Sequence, residues 1–105
     1  MNPTKETIEE AVVTALKNIH DPEIPVNIYD LGLIYAVGVN ENLAVEVTMT
    51  LTSPNCPVAE SLPVEVKSSI QMIDGVTGVE VRITFDPPWT MENLSEEAML
   101  EMGLL

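Results

Sequence analysis

LAVEVTMTLT, residues 43–52, decides the fold. Leu43, Val45, Val47, Met49 and Leu51 alternate with Ala44, Glu46, Thr48, Thr50 and Thr52. A period of two with one apolar row is the pattern of a strand that buries one face. Thr48, Thr50 and Thr52 then fall on the opposite face, where β-propensity is the simplest account, with Thr52 set apart by its place beside the Cys56 turn. Upstream, LIYAVGV (33–39) reads as a first strand, and Asn40, Glu41 and Asn42 supply turn chemistry, so the two strands form an antiparallel hairpin. Downstream, SPNCP breaks the alternation. Val58, Leu62, Val66, Ile70 and Ile73 then recur at helical spacing. Pro63 lies inside that helix and is expected to remove a backbone hydrogen bond and kink it.

The periphery follows from the same rules. Ile8, Ala11, Val12, Ala15, Leu16 and Ile19 form the stripe of an amphipathic helix over residues 4–18, with Pro3 suited to its first turn. Pro22 and Pro25 stiffen the segment after it. Asp74-Gly75 is a turn, and Val79, Val81, Ile83 and Phe85 alternate as a third strand that stops at Asp86-Pro87-Pro88. Ser95 caps a short last helix opened by Glu96 and Glu97, and Gly103 ends it. Met49, Met72, Met91, Met99 and Met102 read as core fillers. The expected fold class is α+β, a single domain over residues 1–105 in the order α-β-β-α-β-α. The strand–helix–strand crossover makes strand three parallel to strand two. A small mixed three-stranded sheet with helices mainly on one face results.

Composition narrows the function. Seventeen acids against four bases give a net charge of −13, and Lys5, Lys17, Lys67 and Arg82 are scattered, so no nucleic acid partner is expected. An anionic membrane is disfavoured for the same reason, and no apolar run reaches spanning length. A basic protein partner fits. The single cysteine forbids an internal disulfide, and MNPTKETIEEAV lacks the apolar core of a secretory signal, so a cytoplasmic protein is expected.

Cys56 is the first candidate for chemistry. It stands between strand two and helix two with Pro57 after it, so a helix N-terminus would favour its thiolate, the form that binds metal. A buried, inert cysteine is the competing reading. One thiolate cannot hold an iron–sulfur cluster alone, since clusters usually take four protein ligands. The second candidate is DPEIPVNIYD (21–30), which places Asp21, Glu23 and Asp30 on a proline-stiffened loop after His20. Solvated loop acids are the simpler account of it, and one histidine rules out a multi-histidine metal site within one chain. Thr52, beside the Cys56 turn, can hydrogen-bond a thiolate or a loop acid. No phosphate loop, CxxC pair or Ser-His-Asp set is present.

DPEIPVNIYDLGLIY (21–35), TLTSPNCP (50–57), DPPW (86–89) and SEEAMLEMGLL (95–105) resemble, in order, the SufT/PaaD-like metal–sulfur cluster assembly family. The resemblance covers nearly the whole chain, and the stand-alone SufT type fits best because the Cys-rich tail of PaaD-like members is missing. It implies an iron–sulfur assembly-domain fold and an accessory, non-enzymatic role in maturing iron–sulfur proteins. Cys56 would then carry a transient iron–sulfur cluster or iron that folding does not require. By position, Asp21, Glu23, Thr52 and Cys56 match the family's functional cluster, and Asn55 stands where many members have Gly. Implied partners are the assembly machinery and apo target proteins, and a homodimer would supply a second thiolate. The alternatives are a metal-free adaptor that docks delivery proteins to targets, and a thiol-dependent enzyme. The last is disfavoured because a resolving cysteine is missing.

Overall fold

Three strands carry the chain's architecture: β1 (Ile34–Val39), β2 (Ala44–Met49) and β3 (Gly78–Ile83), in the sheet order β1-β2-β3. The computed structural model describes residues 3–20, 26–51 and 61–103. β1 pairs antiparallel with β2 and β3 pairs parallel with β2, as the hairpin and crossover arguments require. Val45, Val47 and Met49 are buried while Glu46 is exposed, so the period of two delivers one wet face and one dry face. A register shift between Ile34 and Ala36 interrupts β1, and after Met49 the alternation stops, with Thr50 and Leu51 both buried. Thr50 is thus a correction to the exposed threonine row. It lies wholly inside, donating its N–H to Leu33 C=O (2.8 Å) and its hydroxyl to Leu51 C=O (3.4 Å).

Helix α1 (Lys5–Leu16) buries Ile8, Val12 and Leu16, the centre of the predicted stripe. Its N-cap is Thr4, which exchanges hydrogen bonds with Thr7 in a capping box, so Pro3 precedes the helix and does not open it. Helix α2 (Ser61–Gln71) buries Leu62, Val66 and Ile70. Pro63 stands in its first described turn, and its ladder position would reach residue 59, which lies outside the described residues along with Val58. The helix runs on from Pro63 to Gln71, and the ladder bond that Pro63 was expected to remove falls outside the described residues. Helix α1 packs on β1 and on α2, and α2 packs on β3, which puts both on one face of the sheet. A 3-10 turn (Met91–Asn93) and α3 (Glu96–Glu101) follow, with Ser95 Oγ accepting from Ala98 N–H (3.1 Å) and Gly103 at φ +75°. The 3-10 turn was not expected from the sequence.

Two methionines depart from the reading as core fillers. Met49 is buried and Met99 and Met102 pack against the core, but Met72 is 86% exposed and Met91 49%. Phe85 lies beyond β3 and is likewise exposed. On the open face of the sheet Glu46 and Glu80 stand directly opposite each other, a repulsive cross-strand pair. Arg82 relieves it through Nε, 3.1 Å from Glu80 and 3.6 Å from Glu46. Its guanidinium is held above its ordinary value by the Glu80 hydrogen bond first and the Glu46 charge second. These groups are largely solvated, so the contribution to stability is small.

Truncating the dry face should be costly and truncating the exposed methionine should not. Ile70→Ala is expected to lose about 2–5 kcal/mol in urea unfolding, against less than about 0.5 kcal/mol for Met72→Ala. Equal losses would mean that α2 buries a different face.

Candidate functional site

All four residues singled out as a functional cluster, Asp21, Glu23, Thr52 and Cys56, lie outside the described residues, in segments 21–25 and 52–60. The anchors of both segments are described, and they are tied together. His20 bridges to Asn27 across the first segment, and Ile28 N–H donates to Ile19 C=O (2.8 Å). Leu33 N–H donates to Ile28 C=O (3.1 Å), and Thr50 N–H donates to Leu33 C=O (2.8 Å). Three backbone hydrogen bonds therefore lead from the start of the acidic segment to the start of the cysteine segment. Ile19, Ile28, Leu33, Thr50 and Leu51 are all buried, which shields these bonds from water.

Asp30, grouped by sequence with the loop acids, is committed elsewhere. Its carboxylate accepts from the Asn27 side-chain amide (2.8 Å), its N–H donates to Asn27 Oδ1 (2.9 Å), and its C=O accepts from Ser95 N–H (2.9 Å). It closes the turn that carries the chain from Val26 into β1 and docks the start of α3. His20 is exposed. Among the described residues no group of three or more His, Cys, Asp or Glu is placed to hold a metal ion.

The segment after β3 braces the same end of the sheet. Trp89 Nε1–H donates to Leu31 C=O (2.7 Å), the Tyr35 hydroxyl donates to Pro87 C=O (2.7 Å), and the Asn93 amide donates to Gly32 C=O (3.4 Å). Gly32 has φ +82°, and a Cβ there would collide with the backbone of Asn93. Two stretches that carry the family resemblance, DPEIPVNIYDLGLIY and DPPW, are thus bonded to each other across more than 50 residues of chain. Sequence reasoning noted both motifs but missed these contacts. The usable signals were a lone Trp after a double proline and a Gly just before the first strand.

These features define a class: a small α+β domain whose three-stranded sheet is tied at one end to the chain emerging from α1 and to the segment after β3. The family model described as iron–sulfur cluster assembly protein matches residues 9–82, and the chain belongs to that family. It is 52% identical over 97 residues to a Porphyromonas gingivalis protein named as an Fe-S protein maturation auxiliary factor, covering 92% of each chain. It is 37% identical to the Staphylococcus aureus Fe-S protein maturation auxiliary factor SufT, covering 80% of this chain and 96% of that one. The crystal structure of a domain of unknown function from Bacillus anthracis superposes with a TM-score of 0.88 at 34% identity, covering 96% of both.

Gly32 tests the brace. Gly32→Ala is expected to lose more than about 1 kcal/mol, because a left-handed alanine costs about 1–2 kcal/mol and Asn93 must also move. Trp89 fluorescence should shift to the red as Leu31 releases the indole. Gly38→Ala, with open space around its Cβ position, should be neutral. An unshifted Trp89 in Gly32→Ala would show that the C-terminal segment is held by other contacts.

Proposed function

We propose that this protein is an accessory factor in the maturation of iron–sulfur proteins, working in the cytoplasm as a carrier whose Cys56 thiolate takes up iron or a cluster as cargo. The observation that supports this reading is the backbone tie Ile19–Ile28–Leu33–Thr50, which links described residues flanking the two segments that hold Asp21 and Glu23 and Cys56. A thiolate near carboxylates and the Thr52 hydroxyl can hold iron transiently, since a thiolate alone is too few ligands for a resident cluster. The remaining ligands would come from the donor, the apo target or a second copy of the chain. That arrangement favours transfer over storage. No step in it makes or breaks a covalent bond in a small substrate, so the chain acts without catalysis.

A second reading has its own support. Among the described residues, both outer strands β1 and β3 leave an edge unpaired with another strand, which offers docking surface. On this reading the domain docks delivery proteins to their targets and Cys56 is structural or regulatory.

Anaerobic reconstitution with iron and sulfide separates the two. The carrier reading expects a sulfide-to-iron chromophore in the wild type that is absent from Cys56→Ser, with unchanged far-UV circular dichroism in the variant. An identical chromophore in both proteins would sink the role of Cys56 as the ligand, and none in either would sink the carrier role and leave the adaptor.

A further inference from the structure

Among the described residues, strand β1 is an edge strand, and α1 packs beside it. Asn40 N–H donates to Ala44 C=O (3.0 Å), and the register pairs Gly38 with Glu46 and Ala36 with Thr48. In an antiparallel ladder every second residue exchanges its N–H and C=O with the neighbour. Asn40, Gly38 and Ala36 are those residues, so Val37 and Val39 turn their backbone groups outward, away from β2. Beside this edge lies a groove of about 280 Å³, lined by Glu9 and Val13 of α1, by Tyr29, and by Ile34, Tyr35, Ala36 and Val37. A helix flanking an unpaired strand edge offers an extended peptide both backbone pairing and side-chain pockets.

The lining states what would fit. Tyr29 is 38% exposed and its ring already faces an ammonium, with Lys17 Nζ 5.3 Å from the centroid. Aromatic faces with a carboxylate beside them attract a cation. Glu9 supplies that carboxylate, and Glu6 and Glu10 are exposed on the same helix. With 17 acids against four bases, the chain attracts basic partners and repels acidic ones. The trough on the open face of the sheet differs, since its acids Glu46 and Glu80 are already shared by Arg82.

We propose that the groove between α1 and β1 docks an extended, arginine-bearing segment of a partner protein. The segment adds a strand alongside Val37 and Val39 and sets a basic side chain between Glu9 and the ring of Tyr29. Lys17 occupies that ring in the free protein and is displaced on docking. The inference deepens the partner-binding side of the function proposed above. It requires no cluster, so its failure leaves the Cys56 reading standing and the converse also holds.

The test is titration of the full chain with an acetylated, amidated hexapeptide of alternating arginine and valine, followed by amide chemical shifts. Saturable shifts confined to residues 35–39 and to α1 around Glu9 and Val13 are expected. Glu9→Gln should weaken binding by about 2- to 5-fold, the range of an exposed ion pair, while Glu80→Gln on the open face leaves it unchanged. Lys17→Gln should tighten it. Val37→Pro should abolish saturable binding while the fold persists, because the Val37 N–H makes no bond to β2. If Val37→Pro unfolds, the Glu9 and Lys17 variants still decide. Shifts spread over the acidic surface with equal losses in Glu9→Gln and Glu80→Gln would mean nonspecific attraction and overturn the proposal, as would no shift at millimolar peptide.

Discussion

Everything in this fold depends on β2 being hydrogen-bonded on both edges while one of its faces is dry. Antiparallel pairing with β1 and parallel pairing with β3 use up its backbone groups. The buried row Val45, Val47 and Met49 then obliges both long helices to the same side, because an apolar face left in water would cost about 25 cal/mol per Å². The parallel third strand demands a crossover, and α2 is that crossover. Its buried residues Leu62, Val66 and Ile70 are the covering for β3 and the core beneath.

The same strand leads toward the segment that holds Cys56. β2 ends at Met49, and the chain beyond it is drawn inward through Thr50 and Leu51 instead of leaving for solvent. Thr50 meets Leu33, Leu33 meets Ile28, and Ile28 meets Ile19, so the end of the central strand is stitched to the chain emerging from α1. Trp89 and Tyr35 lock the later segment onto this end through backbone carbonyls at Leu31 and Pro87. Carbonyl acceptors are available at every residue, so such a brace tolerates side-chain change at the acceptor position and demands only the donor.

This explains which parts were legible in the sequence. The order of elements was readable because each rests on local periodicity or a local cap: Val45 to Met49 for β2, Ile8 to Leu16 for α1, Ser95 and Gly103 for α3. Thr50 was misread because its burial depends on a neighbour 17 residues away, not on its own alternation. Met72 and Met91 were misread because methionine is apolar wherever it sits, and their exposure is decided by a turn after α2 and by a 3-10 turn with no strong local signature. For the candidate site, the sequence singled out Cys56, Asp21, Glu23 and Thr52, and family resemblance, not periodicity, joined them. What the fold adds is the linkage of their anchors, which no local pattern encodes.

Charge and topology then act together on the choice of partner. Arg82 is the cation of both ion pairs among the described residues, and it serves to quiet two glutamates that the parallel register forces face to face. Lys17 lies over Tyr29. Among the described residues only the acids Glu46 and Glu80 share an ion pair, and the field of the other acids is screened within about 8–10 Å at ordinary salt. At longer range a field of this sign attracts positively charged surfaces and repels negatively charged ones. Within a Debye length the sorting passes to shape, and the shapes on offer differ. Among the described residues, the open sheet face presents a trough whose charges are already paired, whereas the outer edge of β1 presents backbone groups that β2 does not use, an aromatic ring and an acid on a neighbouring helix. Backbone pairing is indifferent to the partner's sequence, so for the docking proposed at this edge the long-range field supplies the discrimination that the edge itself lacks.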